Sequence, residues 1–387
     1  FFIVKKSITG LTVKEGPFIE AFRNGHILLF DEINLAPSNV LQCIQQALDN
    51  GYLSVETNGN TLLKVKKHKN FALVATQNPN KGLFAGKRQD LSPEFVSRFK
   101  TVFFPDIPLN EMQEIALGIA KNIGYVKDEN KDKDKIKLLK NIVNLHFEWA
   151  KENNTQNEVQ VFTIREIESI IECLNSGEEV FDVIMTTYGG RYRTDKKEKL
   201  KEKIKKFLNF KDTSENTRKL IKEHFKYCIV NKSLLESVNS ILISLRNKKN
   251  VIILGNNESG LTQIAEWCAN YFNTVENKNE DDADNTDICF CTKNLECAEM
   301  IGSQKLKNNN GKDELKFEPG FLYTSIKYGN CIVLDCVNEA PSRVIERLNG
   351  LLDRKNNDEE NYFEVPETSR HHFLKIHRNF RIICTSN

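Results

Sequence analysis

Ile27-Leu28-Leu29-Phe30-Asp31-Glu32-Ile33-Asn34 decides how this chain is read. Four apolar residues run directly into two carboxylates, the pattern of a buried strand that delivers paired acids to its carboxyl end. At such an end the first acid suits a hydrated Mg²⁺, and the second suits a water aimed at a phosphoryl group. Cys331-Ile332-Val333-Leu334-Asp335-Cys336-Val337-Asn338 returns to the same pattern downstream, with a thiol in place of the second acid. The chain therefore reads as a tandem arrangement with one competent half and one silenced half.

The repeat extends well beyond these two segments. Phe18 pairs with Leu322, Gly25 with Gly329, Asn34 with Asn338, Ala36-Pro37 with Ala340-Pro341, and Leu48-Asp49 with Leu352-Asp353, all at one offset. The register then slips across the insert around Asn356-Asn357-Asp358-Glu359-Glu360, after which His68 matches His377, Phe71 matches Phe380 and Asn78 matches Asn387. So long a period excludes a solenoid unit, and each repeat is a domain set in its own right. The first repeat shows no phosphate loop ahead of Asp31 and the second stops soon after its last strand, so the chain reads as a slice of a longer tandem polypeptide.

A length of 387 residues suggests two or three domains, and a hydrophobic content of 40% is enough for real cores. With 28% charged residues and a formal net charge of +2 there is no electrostatic case for direct nucleic-acid binding. No long uncharged apolar run predicts a membrane-spanning helix. Phe1-Phe2-Ile3-Val4 is too short for a signal peptide and is followed by Lys5-Lys6. The ten cysteines are scattered without a CxxC pair and read as reduced intracellular thiols. Cys289 and Cys291, one residue apart, are expected on alternate faces of a strand.

Coarse patterning predicts an α/β chain with an all-α stretch between two sheets. Val40 to Leu48 reads as an amphipathic helix after Pro37-Ser38. Tyr52 to Val65 alternates around Asn58-Gly59 as a hairpin. Phe71 to Thr76 reads as a strand buried on both faces. Leu91 to Phe99 reads as a short helix running into a strand over Thr101 to Phe104. Residues 107–228 lose strand signals and carry helical patterns such as Ile136 to Trp149 and Ile164 to Leu174. Lys196 to Phe207 is strongly basic, either a solvated helix face or a basic docking surface. Strand and helix alternation resumes at Val251 to Leu254. Asn277 to Asp287 and Lys307 to Glu314 read as surface insertions without fixed structure. The expected division is residues 1–106 as the C-terminal part of a large α/β subdomain, 107–228 as a helical lid, and 229–387 as the N-terminal part of the next, degenerate large subdomain.

The candidate site residues follow from this frame. Asp31 is expected to hold Mg²⁺ through its water shell and Glu32 to polarise the attacking water. Asn78 either forms a turn before Pro79 or senses the water or γ-phosphate beside Glu32, because strand ends of a doubly wound sheet line the ligand crevice. Arg98 is either a surface arginine paired with Glu94 or an arginine finger serving a neighbouring site. Arg165 is either a helix-start arginine beside Glu166 or a second phosphate-sensing arginine. Gly255-Asn256-Asn257-Glu258-Ser259-Gly260-Leu261-Thr262 has the strand-to-helix context and spacing of a phosphate loop, with Leu261 where lysine belongs. Gly255, Gly260 and Thr262 keep the backbone cradle and a hydroxyl for Mg²⁺. Leu261 removes the cation, Glu258 adds a repelling charge, and Cys336 is a poor orienter of water. His371-His372 reads as part of a surface hairpin rather than a metal site.

The residues Leu28 to Pro37, then Ala75-Thr76-Gln77-Asn78-Pro79, then Leu91 to Phe99, resemble AAA+ modules of the midasin family, giant dynein-related ATPases of large ribosomal subunit assembly. Tyr188 to Thr194 resembles that family's lid segment, and Val365-Pro366-Glu367-Thr368 its hairpin ahead of the sensor strand. The resemblance covers nearly the whole chain apart from the Asn- and Lys-rich insertions. It implies a P-loop AAA+ fold, a parallel sheet sandwiched by helices, with an all-α lid between two modules. It implies ATP and Mg²⁺ as cofactors and neighbouring AAA+ modules of one polypeptide, six in all, closed into a ring. It further implies pre-60S ribosomal particles and their assembly factors as partners, in the nucleus, nucleolus and nucleoplasm. In such rings an arginine finger serves the preceding module, so no complete active site is expected within these residues. Two other readings stand beside it: a MoxR-like or von Willebrand-domain ATPase assembling other complexes, and a non-catalytic scaffold braced by nucleotide.

Overall fold

The computed structural model describes residues 2–7, 10–57, 61–78, 89–153, 162–192, 194–208, 232–256, 259–276, 286–309, 312–352, 361–365 and 372–386. The chain divides into two compact units: residues 1–112 with 146–164, and residues 113–145 with 165–387.

The first unit opens with an antiparallel hairpin, β1 (Phe2–Ser7) and β2 (Gly10–Glu15). Helix α1 (Pro17–Asn24) follows, with Pro17 in its first turn, where a missing N–H costs nothing. It stops at Gly25, whose φ of 79° suits a residue without Cβ. Strand β3 (Ile27–Phe30) leads to α2 (Ser38–Asn50), then to the hairpin β4 (Tyr52–Thr57) and β5 (Thr61–Lys66), and then to β6 (Ala72–Ala75). Strands β3 and β6 pair in parallel, Ile27 opposite Ala72 and Phe30 opposite Ala75. One face of this pair packs Leu28, Phe30 and Leu73 onto Phe18, Ile19, Phe22 and Ile44. The short helix α3 (Pro93–Val96) is capped by Ser92, whose hydroxyl accepts from Phe95 N, and Phe95 joins the same core.

Between the sheets the sequence supplies α4 (Leu109–Ile123), α5 (Lys133–Asn153), α6 (Ile164–Asn175), α7 (Val180–Thr187) and α8 (Thr194–Leu208). The second unit continues with α9 (Lys232–Arg246), β7 (Val251–Leu254), α10 (Leu261–Tyr271), β8 (Ile288–Phe290), α11 (Cys297–Ile301) and a hairpin of β9 (Gly302–Asn309) and β10 (Lys312–Pro319). It closes with α12 (Phe321–Tyr328), β11 (Cys331–Asp335), α13 (Ser342–Leu352), the hairpin of β12 (Tyr362–Val365) and β13 (His372–Lys375), and β14 (Arg381–Ser386). Its central sheet is parallel in the order β7-β14-β11-β8. Strand β11 is buried along its whole length, with Ile332 and Leu334 on one core and Cys331 and Val333 on the other. Helices cover both faces, as a parallel sheet requires. Within this unit α9 is fastened to the interposed helices by Lys201 on Glu236 at 3.0 Å and Thr186 on Ser240 at 3.3 Å, and the turn after it by Lys249 on Glu172 at 2.6 Å.

The duplication holds bond for bond. His68 N donates to Phe22 O and His377 N to Ile326 O. Asn70 N donates to His68 Nδ1 and Asn379 N to His377 Nδ1, each at 3.2 Å. Each imidazole lies so close to the glycine ending the first helix that a Cβ on Gly25 or Gly329 would overlap it.

Several expectations are corrected. Phe71 to Thr76 is buried on one face only: Val74 is 48% exposed and its neighbours across the ladder, Ile27 and Leu29, are 74% and 60% exposed. Their counterparts Ile383, Cys331 and Val333 are all at 0%, because α9 and α10 cover that face in the second unit and no described element does so in the first. Thr101 to Phe104 forms no ladder among the described residues, and Phe103 and Phe104 are each 85% exposed, since no neighbouring strand completes its hydrogen bonds. Lys307 to Glu314, expected to lack structure, falls largely within the paired strands β9 and β10. Cys289 and Cys291 share one core rather than opposite faces, because strand side chains repeat with period two. The turn at Asn58-Gly59, Glu258, most of Asn277 to Asp287, Asn356 to Glu360, Pro366 to His371 and Asn387 lie outside the described residues.

Candidate nucleotide site

The paired acids sit at the carboxyl end of β3, beside the end of β6. Thr76 links them: its hydroxyl donates to Asp31 Oδ1 at 2.5 Å and accepts from Glu32 N at 3.0 Å. Thr76 N donates to Phe30 O and Ile33 N to Thr76 O, both at 2.9 Å. Glu32 is held with φ at 53°, a left-handed conformation that is costly for a residue with a Cβ and recurs at functional sites. That turn brings the Glu32 side chain back to Asn78, whose Nδ2 donates to Glu32 Oε1 at 3.0 Å. Asn34, buried, donates to Asn78 O at 2.9 Å and fixes the loop carrying it. Asp31 is exposed, and among the described residues its Oδ2 carries no hydrogen bond. A water shell around a divalent cation fits such an oxygen.

The second unit repeats this geometry with different chemistry. Thr385 donates to Asp335 Oδ1 at 2.6 Å and accepts from Cys336 N at 2.9 Å, and Cys336 has φ at 55°. Here Thr262, in the first turn of α10, also donates to Asp335 Oδ1 at 2.8 Å. The Cys336 thiol lies 3.9 Å from Asp335 Oδ2. Asp335 is only 5% exposed, so its carboxylate is enclosed and already served by two hydroxyls and a thiol.

The phosphate-loop residues frame the same end of the sheet. Gly255 N donates to Ser386 O at 3.3 Å, and Gly260, with φ at 70°, precedes the first turn of α10. Leu261 lies across Gly255: a Cβ built there would be 2.9 Å from Leu261 Cδ2. The position that lysine fills in a working loop thus carries a hydrocarbon against the loop backbone, with no charge to offer a phosphate.

Arg98 is turned to Asp49 and not to the Glu94 carboxylate. Its Nε and Nη2 meet the two Asp49 oxygens at 2.6 Å each, a fork-on-carboxylate pair, and Nη1 donates to Glu94 O. The guanidinium holds the Asp49 carboxyl below its ordinary range, and Asp49 raises Arg98 in turn. Arg165 is exposed in the first turn of α6, in the second unit. Its neighbour Glu166 is buried and ion-paired to Arg191 Nη2 at 2.8 Å. The first unit therefore brings Asp31, Glu32 and Asn78 together, while Arg98 is engaged with Asp49 and Arg165 belongs to the other unit.

Sequence reading missed Thr76 and Thr385, the hydroxyls that organise both strand ends. Their signal was the repeat itself, which aligns them once the register slip is allowed. It also missed Asp49, although Leu48-Asp49 recurs as Leu352-Asp353.

Comparison with known proteins gives a family model, the AAA domain of the dynein-related subfamily, matching residues 6–99 and 250–387. Midasin of Dictyostelium discoideum is 22% identical over 96% of this chain and 6% of its own length. Midasin of Giardia intestinalis is 24% identical over 98% of this chain and 9% of its own length. An uncharacterized Bacillus subtilis protein, YojN, is 27% identical over 29% of this chain and 34% of its own. The chain spans less than a tenth of the midasins it matches.

Proposed function

The chain belongs to the dynein-related subfamily of AAA domains, and on that premise we propose that it forms parts of two consecutive modules of a midasin-like ring ATPase that remodels pre-60S ribosomal particles. The division proposed is residues 1–106 and 229–387 as parts of two large subdomains, with 107–228 as the lid between them. The observation that carries the catalytic half of this reading is the bond from Asn78 Nδ2 to Glu32 Oε1 at 3.0 Å, set beside an exposed Asp31.

Bound Mg²⁺–ATP supplies the phosphoryl group and its charge neutralisation. Asp31 is assigned to the hydrated cation through its unengaged Oδ2. Glu32 Oε2 is assigned to orient and deprotonate the attacking water, while Asn78 keeps Oε1 occupied and the carboxylate fixed in rotation. Arg98 is assigned as the finger for a preceding module, a role in which its guanidinium would leave the Asp49 fork for that module's phosphate. Arg165 is assigned as the phosphate-sensing arginine of the lid. The second site is assigned as hydrolysis-dead, since Leu261 and Cys336 remove the loop cation and the base. Partners on this reading are neighbouring modules in the ring and assembly factors on pre-60S particles, and the place of action is the nucleolus and nucleoplasm. No helix among the described residues is long and apolar enough to cross a membrane.

The test uses the full-length protein with Glu32→Gln. ATP turnover attributable to this site is expected to fall about 10²- to 10⁴-fold, with nucleotide still bound and assembly factors retained on pre-60S particles. Unchanged release of those factors with unchanged turnover would remove the proposal.

A further inference from the structure

We propose that Asn34 is a positioning residue for hydrolysis at the first site, acting through the backbone of Asn78 on the carboxylate of Glu32. The assignment rests on the ATPase reading of that site and extends it to an enclosed side chain.

The bonds form a closed circuit. Asn78 Nδ2 donates to Glu32 Oε1 at 3.0 Å, and Asn34 Nδ2 donates to Asn78 O at 2.9 Å. Asn78 is thus held at its side chain by Glu32 and at its backbone by Asn34. These two holders sit on one short stretch of chain that is itself pinned. Ile33 N donates to Thr76 O at 2.9 Å, Leu35 N to Glu32 O at 2.9 Å and Ala36 N to Ile33 O at 3.1 Å. With Asn34 in place, the amide that occupies Glu32 Oε1 cannot drift from the strand end, and the other carboxylate oxygen keeps its aim.

The energetics of Asn34 point the same way. It is 5% exposed, and its Oδ1 is buried with no hydrogen-bond partner among the described residues. Burying an unpaired carbonyl opposes folding, and a hydrocarbon of the same shape avoids that cost. Asn78 is exposed, so water can serve its carbonyl once the Asn34 amide is gone. The bond between them therefore fixes where Asn78 lies more than it stabilises the fold. An enclosed side chain does not meet substrate, and what it can set is the geometry of groups that do.

Asn34 is fixed in its turn by Gln89. Gln89 N donates to Asn34 O at 2.9 Å, Ser38 Oγ donates to Gln89 Oε1 at 2.9 Å, and Gln89 Nε2 donates to Ala36 O.

The experiment measures steady-state turnover of the full-length protein. Asn34→Leu keeps the buried volume and removes both polar atoms of the amide, and Asn34→Ala removes the volume as well. The result is read in whichever variant keeps the parent thermal midpoint. Turnover attributable to this site is expected to fall about 10- to 100-fold, with KM for ATP unchanged. In an Asn78→Ala background the same substitution is expected to cost nothing further, because its effect passes through Asn78. Glu32→Gln, run alongside, separates the two readings. If Glu32→Gln leaves turnover unchanged, the ATPase reading fails and takes this assignment with it. A loss in Glu32→Gln with none in the Asn34 variants overturns the assignment of Asn34 alone. So does a loss of equal size with and without the Asn78 amide, a rise in KM with kcat unchanged, or a collapse of the midpoint in both Asn34 variants.

Discussion

Thr262 Oγ1 lies 2.8 Å from Asp335 Oδ1, so the helix after the degenerate phosphate loop is tied to the strand end it would share with a metal. Thr385 donates to the same oxygen at 2.6 Å. Its counterpart Thr76 makes the equivalent bond to Asp31. The second site has therefore kept its framework and Asp335, and lacks the loop cation and the second carboxylate.

That separation makes the losses reversible in sequence. Leu261→Lys restores the loop cation without touching the hydroxyl bonds and is expected to raise affinity for a fluorescent ATP analogue by tenfold or more, since charge-assisted bonds contribute about 1.5–3 kcal/mol. Hydrolysis at this site is expected only in the double variant with Cys336→Glu. Equal affinity in Leu261→Lys and the parent would show that another feature closes the pocket.

The glycines that end α1 and α12 carry a stability prediction. Gly25→Ala and Gly329→Ala each place a methyl on an imidazole in a left-handed backbone. Each should cost about 1–2 kcal/mol for the backbone and about 1–3 kcal/mol more for overpacking. Gly51→Ala, also left-handed at φ 69° but with open space around it, should cost the backbone share alone. Denaturant midpoints of the three variants distinguish them, and equal losses would contradict the packing argument.

Acid should weaken the second unit through His377. Burial, then Arg378 and Arg381, lower its pKa below the ordinary 6.5. The unfolded chain therefore binds the proton more readily than the folded one, and stability rises with pH across that window. It is fully present above the unfolded value and lost as pH falls from there through the folded value. Thermal midpoints from pH 7.5 to 5 should fall less steeply in His377→Asn, whose amide oxygen can still accept from Asn379 N. An identical slope would exclude His377 as the source.

Arg98 separates a structural role from a functional one. Arg98→Lys keeps the charge but loses the fork on Asp49. Full-length turnover should drop while the thermal midpoint of the chain hardly moves, because the pair is solvent-exposed. A large drop in the midpoint with unchanged turnover would make Arg98 a structural residue.

Much of this molecule was legible in the primary chain. The apolar run ending in Asp31-Glu32, its echo at Asp335-Cys336, the strand-to-helix glycines at 255 and 260 and the helical stretch between the sheets all depend on local pattern. Local pattern survives because strand alternation, helix periodicity and turn geometry are set by residues close in sequence. The loss of lysine at 261 was equally plain, since a substitution at a fixed spacing needs no neighbour to be noticed.

Only the tertiary structure decided which partners those residues meet. Thr76 reaches Asp31 across two strands, Arg98 chooses the Asp49 carboxylate over that of Glu94, and Ile27 and Leu29 lie bare where Cys331 and Val333 are enclosed. A hydrogen bond or a covered face belongs to two distant segments at once. Its existence is fixed by the register of the sheet and by the helices laid over it, which no single stretch of sequence contains.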